Sequence, residues 1–307
     1  MNNPVRDVPE HVPVMLSEVM QLLDPTPGET IVDATIGCAG HARAIRHELG
    51  TTGLLVGLDR DPGMAQCARE RLGGSESENV KIVCANFSEV DSVLRAEADS
   101  RADGILADLG FASPQVDEAE RGFSYRTDGP LDMRMNEAGD LTAEEWVNTA
   151  PEKDLADVIY QYGEERFSRR IARAIVRARE SARITRTVQL AEIIRRAVPK
   201  GPRRLHPARR TFQAIRIHIN REMEHLERFL DLLPNLLNPG GRCVVISYHS
   251  LEDRRVKIAF LRGAQDGLYE RLTRKPLRPT EAEVRANPRS RSAKVRAIRR
   301  TSGGEKS

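Results

Sequence analysis

The stretch Thr30-Ile-Val-Asp-Ala-Thr-Ile-Gly-Cys-Ala-Gly-His41 decides the fold class of this 307-residue chain. Its first residues form a short β-branched run that predicts a buried strand, and residues 41–49 have the apolar spacing of a helix. Gly37 and Gly40 lie in the turn between them, where a residue without Cβ lets the backbone approach a bound ligand. The stretch therefore predicts the first strand, ligand-binding turn and helix of an α/β domain.

Two carboxylates belong to this predicted ligand site. Asp59 lies 22 residues after Gly37, at the end of the apolar run Leu54–Leu58, where it can accept hydrogen bonds from two ribose hydroxyls. Proteins that bind NAD and proteins that bind S-adenosylmethionine share this arrangement. Asp33 precedes the first glycine in a spacing that departs from Gly-x-Gly-x-x-Gly, and an acid there can meet the cationic methionine end of S-adenosylmethionine. The spacing favours S-adenosylmethionine, and an NAD-dependent oxidoreductase stays open as an alternative.

The alternation of strands and helices predicts two domains. From 113 to 206 the sequence has helical patterns without a convincing strand, and a helix at 212–233 resumes the α/β pattern. We therefore predict a discontinuous sheet domain of residues 1–112 and 212–307 around an inserted helical domain of residues 113–211. The predicted strands are 30–34, 54–58, 80–84, 104–108, 242–247 and 293–298.

A second group of polar residues, Asp108 and Gln115, follows the fourth predicted strand. This position also overlooks the ligand crevice of a doubly wound sheet. A carboxylate there can accept the hydrogens of an exocyclic amine and orient its delocalised lone pair for attack on a sulfonium methyl. The same residues can instead hold the donor or cap a turn, and these alternatives stay open.

A third group, Ser247-Tyr-His-Ser-Leu-Glu-Asp253, follows the fifth predicted strand. Ser250 and Asp253 have the spacing of a helix N-cap and its capping partner. Tyr248 and His249 are then free to face a base, and they are candidate catalytic residues together with the carboxylate after the fourth strand. Candidate platforms for stacking of a flipped or single-stranded base are Phe123, Tyr125 and Tyr248.

Positive charge is concentrated in two blocks. Residues 164–221 contain 17 Arg and Lys against 4 Glu, and residues 271–307 contain 12 against 3 acids, although the whole chain has a net charge of only +3. The blocks therefore stand on an otherwise acidic protein, which indicates a surface that faces a polyanion. Most of these charges are arginine, which suits phosphate and base recognition. A solvated arginine-rich helix face is the alternative.

Cysteine spacing and other absences exclude several classes of protein. Cys38, Cys67, Cys84 and Cys243 are scattered without a Cys-x-x-Cys pair, which predicts reduced thiols and no zinc site. The sequence has no signal pattern and no apolar run long enough to span a bilayer, so we expect a cytoplasmic protein. No cysteine follows the fourth or fifth strand, which disfavours methylation at pyrimidine C5 and favours a nitrogen or oxygen acceptor. A P-loop motif is also missing.

Longer motifs along nearly the whole chain resemble the small-subunit ribosomal RNA methyltransferase H family (RsmH or MraW). The most unusual are Gly129-Pro-Leu-Asp-Met-Arg-Met135 and His249-Ser-Leu-Glu-Asp253. The other matching stretches are His11-Val-Pro-Val14, Asp33-Ala-Thr35, Gly40-His41, Asp59-Arg-Asp-Pro62, Asp108-Leu-Gly110, Ser113-Pro-Gln-Val-Asp117, Glu120-Arg-Gly-Phe-Ser124, Tyr162-Gly-Glu-Glu165, Arg210-Thr-Phe-Gln-Ala214, Pro239-Gly-Gly241 and Asn287-Pro-Arg-Ser-Arg-Ser292.

The resemblance implies a class I, Rossmann-like methyltransferase fold with a helical insertion and S-adenosylmethionine as the cofactor. It implies direct, metal-free methylation of the N4 amine of a cytidine in 16S ribosomal RNA. The partner would be ribosomal RNA or the small ribosomal subunit, gripped by the insertion and the basic segments. The donor-binding positions that the resemblance implies are Ala39, Gly40, His41, Asp59, Phe87, Asp108 and Gln115, and Asp33 and Gly37 complete the predicted donor site.

The chain departs from the family pattern at three places. The family loop is richer in glycine where this chain has Cys38-Ala39, Phe111-Ala112 replaces a more usual Val-Ser, and Arg209 stands where threonine is common. The first two would narrow the donor pocket, and the third adds a charge near the predicted RNA surface. Another RNA or DNA amino-methyltransferase of the same fold and a non-catalytic RNA-binding scaffold stay open as alternatives, and so does a homodimer.

Overall fold

The chain forms two compact units in the computed structural model, which describes residues 12–73, 78–98, 101–110, 118–136, 141–199 and 206–302. The first unit combines Met1–Gly110 with Glu224–Ser307, and the second is Phe111–Met223. The second unit thus runs beyond residue 212, where the sequence analysis places the return to the sheet domain.

The helices are short to medium in length and alternate with strands only in the first unit. None of the described helices combines the length and the apolar character needed to cross a membrane. The helices are α1 Leu16–Leu23, α2 Gly40–Leu49, α3 Pro62–Arg71, α4 Val90–Glu97, α5 Ala143–Thr149, α6 Glu152–Gly163, α7 Ser168–Ser181, α8 Thr187–Ala197, α9 Ala208–Ile219, α10 Glu222–Leu236, α11 Ser250–Gln265 and α12 Glu281–Ala286.

A mixed sheet forms the centre of the first unit. Its strands are β1 Thr30–Asp33, β2 Leu54–Asp59, β3 Val80–Cys84, β4 Ala102–Asp108, β5 Leu237–Ser247, β6 Tyr269–Arg271 and β7 Lys294–Arg300. They stand in the order β3-β2-β1-β4-β5-β7-β6. Strands β1 to β5 are parallel, and β7 is antiparallel to both β5 and β6. The predicted α/β architecture is confirmed.

Both faces of the sheet are covered, which explains why its strands read as apolar runs instead of alternating patterns. The neighbouring β1 residues Ile31 and Val32 belong to two different apolar clusters. Ile31 is in the cluster that contains Ile45 of α2, and Val32 is in the one that contains Phe229 of α10. Full burial of side chains of this size stabilises the fold by roughly 1.5–3 kcal/mol each.

Strand β5 begins earlier than the predicted 242–247 run. Its pairing with β4 passes from Ala102 opposite Leu237 directly to Gly104 opposite Arg242, so residues 238–241 bulge out of the ladder. Gly240 has a φ of 83°, a left-handed conformation that glycine adopts without a steric cost. The bulge absorbs the turn within the strand.

The second unit is helical in its described residues, as the sequence predicts. Helices α5 to α9 surround an apolar cluster that includes Trp146, Ile159, Ile175 and Phe212. Helix α7 contributes Ile171, Ala172 and Ile175 from one face, so its opposite face is left to solvent. An inserted helical region is therefore confirmed, whereas its predicted role in RNA recognition stays a prediction.

The predicted helix at 212–233 is two helices, and this shifts the boundary between the units. Arg221 has a φ of 49°, which interrupts the helical backbone between α9 and α10. The buried Asn220 fixes the break, because its Oδ1 accepts from the Met135 amide at 2.8 Å and its Nδ2 donates to the Met133 carbonyl at 2.8 Å. Apolar spacing continues across both helices, so the pattern alone gave no sign of the break.

Candidate active site

Three aspartates follow adjacent parallel strands at one edge of the sheet. Strand β1 lies between β2 and β4, so Asp33, Asp59 and Asp108 end three neighbouring strands. The chain moves from β1 to β2 on one side and returns to β4 on the other, which makes this edge a topological switch point. Ligands of doubly wound sheets bind at such points. The structure therefore brings these predicted site residues together.

The loop between β1 and α2 is held by the neighbouring strands. The Gly37 amide donates to Asp59 Oδ2 at 3.0 Å, and the Asp108 amide donates to Thr35 Oγ1 at 2.7 Å. Gly37 and Ala39 have φ values of 51° and 63°, so the backbone turns sharply twice before α2 begins at Gly40. A Cβ at Gly37 would meet no atom within 4 Å, so this turn borders open space in which a ligand could lie.

Burial makes this edge of the sheet unfavourable for negative charge. Desolvation raises the pKa of Asp33 from 3.8 to about 7, and the nearby Asp108 and Asp59 raise it further. Desolvation likewise raises the pKa of Asp59 to about 6, against the lowering effect of the Asp61 and Gly37 amides. A bound cation would relieve this penalty, because an opposite charge favours the ionised carboxylate. The site is thus suited to a positively charged ligand.

His41 is buried at the start of α2 and faces Asp108. Its Nε2 lies 3.0 Å from the Val14 carbonyl, which can only accept, so this nitrogen carries the hydrogen. The Nδ1 atom then lies 3.9 Å from Asp108 Oδ2. In the neutral ring both of these atoms are acceptors, and an amino group placed between them could donate to each.

Tyr248 lies against the same carboxylate. Burial raises the pKa of Tyr248 well above 10.0, and the Asp108 charge together with the hydrogen bond to Asp108 raises it further. The phenol is therefore neutral near pH 7 and donates to Asp108. A Cβ at Gly110 would lie 2.7 Å from Tyr248 Cε2, so glycine is needed there to admit the ring.

His249 caps α11, which corrects the predicted capping pair Ser250 and Asp253. Its Nδ1 accepts from the Glu252 amide at 3.4 Å, and Glu252 Oε2 accepts from the His249 amide at 3.2 Å. His249 Nε2 also lies 3.1 Å from Glu252 Oε1. Asp253 instead binds Arg296 at 2.7 Å. The catalytic role predicted for His249 stays a prediction.

Phe87, which is predicted to contact the donor, lies at the same edge of the sheet as Asp59. It follows β3, which pairs with β2 up to Asp59, and the Ala85 amide donates to the Asp59 carbonyl at 3.0 Å. The ring is edge-on to Phe229 with centroids 5.7 Å apart and to His225 at 6.5 Å. These two supporting rings were not predicted, because they come from α10, far along the chain.

The remaining predicted site residues divide into two groups. Gln115 lies outside the described residues, as do Phe111 and Ala112. In the second unit, the Tyr125 ring stacks on the His206 ring with the two centroids 4.9 Å apart, so one face of the Tyr125 ring is already covered. The stacking roles predicted for Phe123, Tyr125 and Tyr248 stay predictions.

The N-terminal segment Val12–Met15 takes part in the site, and sequence reasoning missed it. The Met15 amide donates to Glu283 Oε1 at 2.6 Å, and Asn287 Nδ2 donates to the Val12 carbonyl at 3.0 Å. The segment is thereby held where the Val14 carbonyl sets the tautomer of His41. Val12 and Asn287 belong to stretches that resemble the family, and this resemblance was the available signal.

Cys38 and Cys67 form a disulfide, which corrects the prediction that all cysteines are reduced. The two Cα atoms are 5.2 Å apart although the residues are separated by 29 positions. Cys38 is in the loop before α2 and Cys67 is on α3, so only the packing of α3 beside that loop brings them together. Cys84 and Cys243 are free.

Reduction of this disulfide is expected to lower the free energy of unfolding by about 2–4 kcal/mol, because the bond closes a long loop in the unfolded chain. Thermal unfolding with and without reductant measures the change. The double variant Cys38→Ser/Cys67→Ser should unfold at the lower temperature in both conditions. Cys84→Ser should respond to reductant like the unmodified protein. A melting temperature of the unmodified protein that does not respond to reductant would contradict the expectation.

Known proteins resemble this chain over most of its length. The sequence profile of the MraW methylase family matches residues 9–301. A protein of Acidobacterium capsulatum named Ribosomal RNA small subunit methyltransferase H is 50% identical over 294 residues, covering 94% of this chain and 97% of that protein. A protein of the same name from Deinococcus deserti is 49% identical over 290 residues, covering 94% and 93%. The solved structure of a SAM-dependent O-methyltransferase from Thermotoga maritima is similar with a TM-score of 0.42 and 10% identity, over 95% of this chain and 66% of that one.

The family match spans both compact units, since residues 9–301 include the helical insertion as well as the sheet. The predicted family and the predicted class of enzyme are confirmed, and so is the fold class, an α/β methyltransferase with a helical insertion. The chain belongs to the MraW methylase family.

Proposed function

We propose that this protein transfers a methyl group from S-adenosylmethionine to the N4 amine of a cytidine in 16S ribosomal RNA. The class of RNA is supported by the relatives named Ribosomal RNA small subunit methyltransferase H. The observation that carries the reaction is the surroundings of Asp108, which faces both the Tyr248 hydroxyl and His41 Nδ1. A nitrogen that bears two hydrogens could donate one to the Asp108 carboxylate and the other to His41 Nδ1.

The donor would be held along the edge formed by β1, β2 and β3. When bound, S-adenosylmethionine supplies a methyl group on a cationic sulfonium. Asp33 would ionise beside this cation, which offsets the cost of its burial. Asp59 would accept hydrogen bonds from the ribose hydroxyls, and Phe87 would pack against the adenine. The remaining donor contacts in the proposal are the backbone of Gly37, Ala39 and Gly40, the His41 ring, and Gln115.

Asp108 would orient the cytidine amine. The amine is a poor nucleophile while its lone pair is delocalised into the ring, and an acceptor for its hydrogens favours the pyramidal form that attacks. The new N–CH₃ bond forms as the S–CH₃ bond breaks, which leaves S-adenosylhomocysteine, and the amine then loses one proton to its acceptor Asp108 and from there to solvent. Tyr248 remains neutral and holds the Asp108 carboxylate in place through its hydroxyl. No covalent intermediate with the protein is needed.

The helical unit of residues 113–211 would recognise RNA in this proposal. Its support is the excess of arginine over acidic residues in the block 164–221. The reaction would take place in the cytoplasm on ribosomal RNA or the small subunit, and either a monomer or a homodimer could carry it out.

Labelled methyl transfer tests the proposal directly. Unmethylated small subunits and naked ribosomal RNA are each incubated with labelled S-adenosylmethionine, and the product nucleosides are identified. Label recovered as N4-methylcytidine is the expected result. Binding of NAD without binding of S-adenosylmethionine would instead support the oxidoreductase alternative. Donor binding without transfer to either substrate would support the non-catalytic scaffold.

Donor affinity is expected to rise as the pH increases through about 6 and about 7, because the ionised Asp59 accepts more strongly from the ribose hydroxyls and the ionised Asp33 attracts the cation. The ligand-free protein should behave in the opposite way. The pKa of each carboxyl is higher in the folded than in the unfolded chain, so the neutral carboxyls favour folding. Their contribution to the free energy of unfolding is complete below 3.8 and is lost as the pH rises through about 6 and about 7.

Calorimetric titration of donor between about pH 5 and pH 8, with thermal unfolding of the free protein over the same range, measures both trends. Asp33→Asn should flatten both curves, whereas the exposed Asp266→Asn should leave them unchanged. Donor affinity that falls with rising pH would refute the assignment of these two carboxylates.

A further inference from the structure

We propose that four arginines on the exposed face of α7, called here the arginine stripe (Arg169, Arg170, Arg173 and Arg177), bind the phosphodiester backbone of the RNA substrate. The proposal rests on the proposed function, because it assigns the surface by which that RNA is gripped. Its basis is how the structure pairs the arginines of the basic block with acidic partners.

The stripe follows from the helical repeat. Ile171, Ala172 and Ile175 bury one face of α7, and at 100° per residue the four arginines fall within one sector of the opposite face. All four are exposed. From Arg169 to Arg177 the helix rises about 12 Å, which is long enough to face several consecutive phosphates of one strand.

Other arginines of the same unit are paired with carboxylates of the protein itself. Arg183 lies 2.7 Å from Glu144, and Arg195 and Arg196 each lie 2.6 Å from Glu192. These side chains explain part of the basic block without any partner molecule. The excess of charge in the sequence therefore overstates the surface that is free to bind a polyanion.

The stripe differs from these pairs. Among the residues that the structure describes, no carboxylate forms an ion pair with Arg169, Arg170 or Arg177. Arg173 has a long contact of 3.7 Å with Glu152, and both side chains are largely exposed, so this pair is weak and easily exchanged for a phosphate. In the described part of the chain, the stripe therefore carries more positive charge than its carboxylate partner Glu152 balances.

This arrangement has a cost that a bound anion would remove. Like charges at i and i+4, such as Arg169 with Arg173 and Arg173 with Arg177, destabilise a helix. Phosphate oxygens between the guanidinium groups would turn this repulsion into charge-assisted hydrogen bonds.

Arg209, which departs from the family pattern, is also exposed on α9. The Arg210 carbonyl next to it lies against Gly163 at the end of α6, where a Cβ would be 2.7 Å away.

The test compares two triple variants with equal loss of charge. The stripe variant is Arg169→Gln/Arg170→Gln/Arg177→Gln, and the control variant is Arg183→Gln/Arg195→Gln/Arg196→Gln. Binding of each to naked small-subunit ribosomal RNA is measured between about 50 and 300 mM salt, because each lost phosphate contact lowers the salt dependence of binding by about 0.7 for a single strand. Circular dichroism and donor titration confirm that each variant is folded and binds S-adenosylmethionine.

The stripe variant is expected to bind RNA roughly tenfold or more weakly and to lose about two units of the slope of log Kobs against log salt, with a raised KM for RNA and unchanged turnover at saturation. The control variant should keep the original slope to within about one phosphate contact, because Glu144 and Glu192 already pair with its three arginines. Equal losses in the two variants would overturn the proposal in favour of diffuse attraction. Unchanged binding to naked RNA with weaker binding to subunits would overturn it in favour of an acidic protein surface.

Failure of this inference differs from failure of the proposed function. If the unmodified protein makes N4-methylcytidine and the stripe variant keeps its KM and slope, only the stripe is wrong. If the unmodified protein binds RNA through the stripe but transfers no methyl group, the proposed reaction is wrong and the surface stands.

Discussion

Replacing Asp108 with alanine is expected to lower the turnover of methyl transfer by about 10²–10³-fold. The carboxylate faces both the Tyr248 hydroxyl and His41, so its loss would leave the cytidine amine without its main acceptor. The effect should appear in turnover at saturating donor and RNA, since orientation of the attacking nitrogen matters mainly in the transition state.

A control on the same strand separates chemistry from folding. Asp103 lies near the other end of β4, where its carboxylate accepts from the Thr30 amide at 2.9 Å and from Asn238 at 2.8 Å. Asp103→Ala should therefore lower the melting temperature without lowering turnover. If Asp108→Ala regains full turnover once the donor is saturating, Asp108 only holds the donor and the orienting role is wrong.

Replacing Asp59 with alanine should weaken donor binding by about 1.5–3 kcal/mol, a factor of roughly 10–150 in Kd, if the carboxylate holds the ribose hydroxyls. The neutral product S-adenosylhomocysteine should lose the same factor, because it carries the same ribose. Asp33→Asn should instead weaken S-adenosylmethionine more than S-adenosylhomocysteine, since only the former carries the sulfonium charge.

Asp61→Ala is the matched control for this measurement. Asp61 is two residues away and caps α3 by accepting from the Gly63 amide at 2.9 Å, so its loss should cost about 1 kcal/mol of stability and little donor affinity. Calorimetric titration of both ligands into each of the three variants and the unmodified protein measures the changes in Kd. Unchanged affinity in Asp59→Ala would remove Asp59 from the donor site and leave it the structural task of holding the Gly37 amide.

Much of the fold could be predicted from the sequence, because each strand that is buried on both faces appears in the sequence as a short run of β-branched and other apolar residues. The predicted run at 30–34 is β1, and the run at 54–58 is β2 to within one residue. The carboxyl ends of parallel strands share one edge, so Asp33, Asp59 and Asp108 could be placed together before any coordinates. The motifs at these positions also carried the resemblance that the family match confirms.

Contacts between distant parts of the chain could not be predicted in this way. The capping pattern fits both Ser250 with Asp253 and His249 with Glu252, but Asp253 instead pairs with Lys294 and Arg296 of β7. The disulfide between Cys38 and Cys67 and the hydrogen bond from the Met15 amide to Glu283 also join residues that are distant in the sequence. In each case the partner is chosen by the packing of elements that local spacing does not relate.

The order of elements, the edge of the sheet at which the site lies and the excess of arginine in the insertion depend on neighbouring residues and on composition, so they could be predicted before the fold was known. The folded chain was needed to show which atoms His41 and Tyr248 face, where the long helix breaks at Asn220, and which arginines are already paired with carboxylates. Hydrogen bonds and ion pairs act over a few ångströms, and the distances that decide them exist only after the chain has folded.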